Sequence, residues 1–357
     1  MILKKTGRWL LMMKQDNNTA HLLLTFDYEL FLGPDSGTPE KCLIEPTEAL
    51  LHVLNKHHAK SIFFVDSLYL YRLKSEGLSK EHALVCSQIK KISDDGHDVF
   101  LHVHPHWLDA VYQKTNATWD LSNIKRYAFS ALSDEEVNFV FEQAFLELCE
   151  ALQSDGKEIR GYRAGGLFVQ PFPRLDRVLR KLNIRNEFSA FPGFRSNAGG
   201  FLTDFSDLKV PLCYQFTEDI SIPEPEGYYT EYTINRFTFS GTDRWINSVV
   251  FRLNQNNRQW MPWGNGKGAT AIIANNHARK GLFSEVAESY SVELMNRWKT
   301  RLYLKDLKKK RFLHFLSHPK LISPGNLICL DHFLNKAMGG GQCNVDFRKI
   351  PVPLQPC

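Results

Sequence analysis

Residues 80–107 read KEHALVCSQIKKISDDGHDVFLHVHPHW. The apolar side chains of 80–93 recur at helical spacing, and Asp94-Asp95-Gly96 stops the helix. A short buried strand follows over 98–104, DVFLHVH, and runs straight into a cluster of imidazoles. Helix, turn and strand in this order are the unit of a parallel α/β fold, where a helix carries the chain back to the start of the next strand.

The alternation continues on both sides. Strands are expected at 21–26 (HLLLTF), 61–65 (SIFFV), 159–163, 185–188 and 312–316. Helices are expected at 46–58, at 172–182, and at 133–153 behind the capping box Ser133-Asp134-Glu135-Glu136. Residues 192–300 lose the period and become rich in Gly, Asn, Pro and aromatics, among them Trp245, Trp260 and Trp263. This region reads as a variable insertion. The tail 336–357 carries three Pro and little periodicity, and reads as peripheral. No internal repeat or low-complexity tract is present.

With 357 residues, 43% hydrophobic and 23% charged, a sizeable core is available and wholesale disorder is excluded. The net charge of +5 is mild for this length and does not point to nucleic acid. The one dense basic run, KDLKKKR at 305–311, reads as a solvated helix end. Seven Cys without a CxxC pair support neither a disulfide framework nor a Cys-zinc site, so reduced packing thiols and a reducing compartment are expected. No apolar run reaches the roughly 18 residues of a membrane span. The opening MILKKTGRWLLMM is too short in its apolar part for a signal peptide; Met13 reads as the natural start, and 1–12 as a flexible addition.

In parallel α/β folds chemistry lies beyond the carboxyl ends of the strands. Four strand ends carry suitable groups. Asp27 and Glu29 in TFDYE sit two apart, on one side if the backbone stays extended; a turn Asp and a helix-start Glu would read the same. His102, His104 and His106 alternate in HVHPHW, a spacing that aims three potential metal ligands one way, whereas a lone His is usually packing. Arg163 precedes two Gly in GYRAGG, and could hold a carboxylate ionised or be a solvated turn Arg. His318 in LSHPK could serve general acid–base catalysis or sit in a turn. Together the four ends hold what a mononuclear metal hydrolase requires: ligands, a base and an acid.

The order of these motifs resembles the polysaccharide deacetylases with a NodB-like homology domain, carbohydrate esterase family 4. TFDYE is similar to the first family motif, HVHPH to the second, YRAGG to the third and FLSH to the last, over residues 21 to 320. The resemblance implies a distorted (β/α) barrel of the NodB-like type, with about seven strands and a long insertion before the last one. It implies a flexible segment 1–20, a catalytic domain 21–335 with 192–300 as the variable region, and the tail 336–357. Asp27 would be the general base, Arg163 its orienting partner and His318 the acid. Glu29, His102 and His106 would hold a divalent metal, zinc first and cobalt or manganese as alternatives. His104 is a metal ligand or a substrate contact, and Tyr28 and Trp107 are expected to meet substrate. The sequence departs from the family at Tyr28, where a second Asp is usual, and at Gly165, where Pro is usual. The fourth family motif is missing, and Glu187 is its nearest stand-in behind Arg163.

The leading expectation is a metal-dependent carbohydrate deacetylase that removes an N-acetyl group from an amino sugar by attack of metal-activated water. The motif variant resembles a bacterial surface-polysaccharide and O-antigen subgroup. That resemblance, with no export signal, implies a cytoplasmic enzyme, or one peripheral to the inner face of the membrane, meeting a nucleotide- or lipid-linked N-acetyl sugar. No nucleic acid is expected as partner. The alternatives are hydrolysis of a non-sugar amide or another ester, and a degenerate carbohydrate-binding homologue without activity.

Overall fold

The computed structural model describes residues 19–198, 200–208, 212–254, 256–268, 286–339, 341 and 343–352. The expected addition 1–12 lies outside them. The first half runs β1 (Ala20–Tyr28), α1 (Glu45–Lys56), β2 (Ile62–Asp66), α2 (Leu68–Ser75), α3 (Ser79–Asp94) and β3 (Asp98–Val103). A small hairpin, β4 (Val111–Gln113) and β5 (Thr118–Asp120), precedes α4 (Asp134–Leu152), β6 (Gly161–Ala164), α5 (Pro173–Lys181) and β7 (Asn186–Glu187). The second half adds the hairpin β8 (Arg195–Ala198) and β9 (Phe201–Asp204), then β10 (Cys213–Phe216), β11 (Tyr229–Tyr232) and β12 (Arg236–Phe239). It continues with α6 (Gly241–Asn254), β13 (Val286–Ser289), α7 (Arg297–Lys310), β14 (Phe312–Ser317), α8 (Pro324–Met338) and β15 (Cys343–Asn344).

The central sheet has the order β10-β11-β7-β6-β3-β2-β1-β14, with β15 added beside the start of β1. Neighbours from β11 to β14 are all parallel, and only β10 runs antiparallel. Strands buried on both faces must be apolar throughout, which is why HLLLTF and SIFFV show no alternation. The α/β class and the distorted barrel are therefore as expected.

Register sorts the side chains by face. Leu23, Ile62, Phe64, Phe100, Cys213, Tyr232 and Phe312 form one inner cluster, while Leu22, Leu24, Phe26, Tyr28, Phe63, Val65, Leu101 and Phe315 pack outward under the helices. Among the described residues no ladder closes the sheet: its edges are β10 and β14, and neither β10 nor β11 pairs with β14. Instead the outer edge of β14, itself buried, is satisfied one amide at a time. The His314 amide donates to Asn235 Oδ1 at 2.8 Å, and the Leu316 amide to the Tyr290 carbonyl at 3.0 Å.

Two readings need correction. The tail is not peripheral: β15 pairs with Ala20 and His21, and Phe347 and Ile350 are buried in the inner cluster, plugging the floor of the barrel. Residues 192–300 are not all insertion, because β10 and β11 extend the sheet and Tyr232 stacks on Phe188 inside it. The capping box at Ser133 and Glu136 is present, and the basic run closes α7, with Lys308, Lys309 and Lys310 in its last turn. The six described cysteines are free.

Candidate active site

The inner face changes character along the barrel axis. Its floor is the apolar cluster just described; above it, the same register places Thr25, Asp27, Asp66, His102, Arg163 and His314 on the inside. His104 and His318 follow their strands with extended backbone, at φ −112° and −131°, so they keep the inward direction. Alternation along each strand and register between strands together convert four distant motifs into one polar layer.

Arg163 is the centre of this layer and is fully buried. Its Nη1 donates to Asp27 Oδ1 at 2.6 Å, its Nε to the Phe188 carbonyl at 3.1 Å, and its Nη2 to Thr25 Oγ1 at 2.8 Å and His314 Nε2 at 3.0 Å. The guanidinium lies 4.1 Å from the centre of the Phe64 ring, at the junction of polar and apolar layers. Burial works to raise the Asp27 carboxyl, but Arg163, His102 and His318 outweigh it and hold Asp27 below the ordinary aspartate value. Asp27 therefore stays ionised, with Oδ1 committed to Arg163 and Oδ2 turned toward His318 Nε2, 3.8 Å away.

His314 escaped the sequence reading. Its Nδ1 lies 3.0 Å from the Thr233 carbonyl, which can only accept, so Nδ1 carries the hydrogen and Nε2 offers its lone pair to Arg163. Burial and the neighbouring Arg163 push this imidazole down to about 3, so it is neutral. The signal was available: in FLHFLSH, His314 shares the inward parity of His318.

Glu29, His102 and His104 bring one donor atom each to within 4.8 Å of one another. Glu29 Oε2 lies 2.7 Å from His104 Nε2 and 3.4 Å from His102 Nε2, and the two imidazole Nε2 atoms are 3.0 Å apart. His102 Nδ1 donates to the Arg163 carbonyl at 2.8 Å, which leaves Nε2 facing Glu29 and fixes the tautomer a metal ligand needs. Two imidazole nitrogens and a carboxylate oxygen converging in a buried site suit a divalent ion of the zinc type. The surrounding carboxylates also call for positive charge: against the effect of burial, Asp27, Glu29 and Asp66 push His102 up to about 9.

His106 does not join this group. It is buried with both ring nitrogens unpartnered, 5.0 Å from the Tyr127 ring. His104, held open as ligand or substrate contact, is the imidazole placed beside Glu29. Gly165 explains the departure from Pro in YRAGG, since a Cβ there would stand 2.7 Å from His104 Nδ1.

Two further residues complete the layer. Lys320, two past His318, donates to Glu29 Oε1 at 2.9 Å and to the Leu30 carbonyl at 2.6 Å. Burial favours the neutral acid, yet Lys320 and His104 hold Glu29 well below the ordinary glutamate value. Glu293 accepts from His318 Nδ1 at 3.0 Å. Burial disfavours the charged imidazole, but Glu293 and then Asp27 and Glu29 raise it above the ordinary histidine value. His318 Nε2 then points a proton toward Asp27 and Glu29, 3.8 and 3.7 Å away. Glu293 lies in the aperiodic region and had no local motif to reveal it.

Three expected residues are elsewhere. Tyr28 has outward parity, and its hydroxyl donates to Gln88 Oε1 on α3 at 2.7 Å. Trp107 is fully buried, with its Nε1 donating to Asp66 Oδ2 at 2.5 Å. Neither can meet substrate as placed. Glu187 pairs in register with Tyr162, on the face opposite Arg163, and its carboxylate accepts from the Ser189 amide and hydroxyl at 2.7 and 2.6 Å.

No protein-family model and no curated protein matches the chain. Solved structures similar to it include carbohydrate esterase family 4 polysaccharide deacetylases and esterases and a family 4 pseudoenzyme from Bacillus anthracis. One, from Mycobacterium smegmatis and given as a candidate polysaccharide deacetylase, is 14% identical over 92% of this chain and 87% of its own, with a TM-score of 0.49. A family 4 carbohydrate esterase from Streptomyces lividans, in complex with acetate, is 11% identical over 94% of this chain and 98% of its own, with a TM-score of 0.37. A family 4 acetyl xylan esterase from Clostridium thermocellum, in complex with a cobalt ion, is 15% identical over 48% of this chain and 58% of its own, with a TM-score of 0.29. At these distances the functional reading rests on the chemistry of the site.

Proposed function

We propose that the chain is a metal-dependent carbohydrate deacetylase that removes an N-acetyl group from an amino sugar. The observation that carries this reading is the single buried layer joining Glu29, His102 and His104 to the Asp27–Arg163 and His318–Glu293 pairs. When bound at the first three, a divalent ion would acidify water and polarise the acyl oxygen.

The chain's own residues supply the proton transfers. Asp27, ionised and with Oδ2 free of Arg163, accepts a proton from water as it adds to the amide carbonyl. A backbone N–H near Tyr28 is the proposed donor to the developing oxyanion. His318, kept protonated by Glu293, delivers its Nε2 proton to the departing nitrogen as the C–N bond breaks. The products are acetate and the free amino sugar.

As part of the same proposal, the substrate belongs to surface-polysaccharide synthesis, is nucleotide- or lipid-linked, and is met in the cytoplasm. Zinc is the proposed ion, with cobalt and manganese as alternatives. Among the described residues no helix is long and apolar enough to cross a membrane.

The test is acetate release from a panel of N-acetyl sugars and linear amides, with zinc, cobalt or manganese supplied and metal content measured. Asp27→Asn should retain the metal and lose turnover. Release from linear amides alone would move the reaction to a non-sugar amide. A metal-free protein inert with all three ions would establish the non-catalytic reading.

A further inference from the structure

A lysine stands inside the polar layer. Lys320 is 5% exposed, whereas lysines are almost never buried unless paired. Its Nζ donates to Glu29 Oε1 at 2.9 Å and to the Leu30 carbonyl at 2.6 Å, and lies 5.2 Å from the centre of the Phe31 ring. The two oxygens of Glu29 are thereby divided. Oε1 serves the ammonium, with His318 Nε2 3.7 Å away. Oε2 lies 2.7 Å from His104 Nε2 and 3.4 Å from His102 Nε2.

The fold holds this lysine by its backbone as well. It sits in the 3-10 turn Pro319–Leu321 after β14. A strap over 263–267 is bonded to that turn: the Gly264 amide donates to the Lys320 carbonyl at 3.0 Å, and the Trp263 amide to the Ile322 carbonyl at 3.1 Å. Further along, the strap is bonded to the loop that follows Glu29. The Lys267 amide donates to the Asp35 carbonyl at 2.7 Å, and Asn265 Oδ1 accepts from the Thr38 amide at 2.9 Å. The alternate glycines of Gly264-Asn265-Gly266-Lys267-Gly268 permit this approach. A Cβ on Gly264 would stand 2.5 Å from the Lys320 carbonyl oxygen, and one on Gly266 2.7 Å from the Gly37 nitrogen. One segment thus ties the turn of Lys320 to the loop of Glu29.

We propose that Lys320 is a positioning residue, which confines Glu29 to one oxygen toward the divalent ion and so keeps one coordination position free of protein. This inference rests on the metal-dependent reading of the site. A carboxylate can give a divalent ion one oxygen or both. An ion drawn to Oε1 would come close to the ammonium, and like charges in a buried site repel strongly. Oε2 and two imidazoles make three protein ligands, the number that catalytic zinc sites carry while leaving a position for water or substrate. Without Lys320, Oε1 would be free to fill that position.

The experiment loads the full chain with zinc or cobalt. A crystal structure of the zinc form should show Glu29 on the ion through Oε2 alone, with Lys320 still on Oε1. This wild-type structure decides the question even where a variant does not fold. The visible spectrum of the cobalt form reports entry of imidazole, a neutral ligand that the lysine charge neither attracts nor repels. Lys320→Met should keep cobalt at least as firmly as the wild type under dialysis against a chelator, and bind imidazole about tenfold or more weakly. A lysine that only tethers Glu29 would instead take the cobalt with it when removed. Both Glu29 oxygens on zinc in the wild type, loss of cobalt from Lys320→Met, or unchanged imidazole binding in that variant would overturn the inference and leave the metal reading standing. A wild-type chain that takes up neither ion overturns the metal reading and this inference together.

Discussion

Arg163 and Asp27, 136 positions apart in sequence, meet at 2.6 Å in the interior, with the guanidinium fully buried and also bonded to Phe188, Thr25 and His314. The pair keeps the proposed base ionised. Removing the cation would leave a buried carboxylate without compensation. Arg163→Met should therefore cost about 3–5 kcal/mol of stability, read by urea unfolding, and abolish acetate release. Arg163→Lys keeps the charge without the planar fork; it should retain more stability than the Met variant and still lose most of its turnover.

His314 should behave as a positioning residue. In His314→Phe, Arg163 loses an acceptor and the Thr233 carbonyl loses its donor, at about 1–3 kcal/mol for each buried group left unpaired. With Arg163 less firmly held, Asp27 should titrate higher, and the acid limb of the pH–rate profile should move up. An unchanged acid limb would leave His314 with a packing role alone.

The proposed metal set is open to direct measurement. Glu29→Gln, His102→Ala and His104→Ala should each lower bound metal well below one ion per chain, by elemental analysis after dialysis. His106→Ala should retain more metal than His104→Ala. The reverse order would make His106 the second imidazole, as the sequence resemblance implied.

Gly165→Ala tests the same assignment from the backbone. The added methyl would press on His104 Nδ1 and on the Val103 carbonyl, 2.7 and 2.8 Å from the new Cβ. Metal affinity should fall by about an order of magnitude or more, as for other changes that disturb a ligand's orientation. Unchanged affinity would remove His104 from the ligand set.

The rate should be bell-shaped in pH. Asp27 must be ionised, so activity falls as pH drops through its lowered pKa, below the usual ~4 of aspartate. His318 must be protonated, so activity falls as pH rises through its raised pKa, above the usual ~6.5 of histidine. Glu293→Gln removes the largest support of the charged imidazole, and the alkaline limb should shift to lower pH by about one unit. An alkaline limb that stays in place would assign it to another group.

Much of this was legible in the chain itself. Strand and helix periods, the capping box at Ser133 and the strand-end positions of Asp27, His102, Arg163 and His318 are local properties, carried by residues a few places apart. Parity along an extended backbone also put Asp27 with Glu29, and His102 with His104, on one side of their own strands. The same rule excludes Tyr28 from that face, because neighbouring residues on a strand point oppositely.

Tertiary structure alone decided which groups meet. His314, Lys320 and Glu293 act only through partners brought by folding: Arg163 from β6, Glu29 from the end of β1, and His318 from the end of β14. Glu293 comes from an aperiodic stretch, and Phe347 from a tail without periodicity, so neither carried a local signal. The choice between His104 and His106 beside Glu29 also lies beyond sequence, since both share the spacing and only the 3-10 turn starting at Pro105 separates their directions. Period and parity are set by each residue's own backbone, whereas a site's membership is set by register between strands that are far apart in the chain.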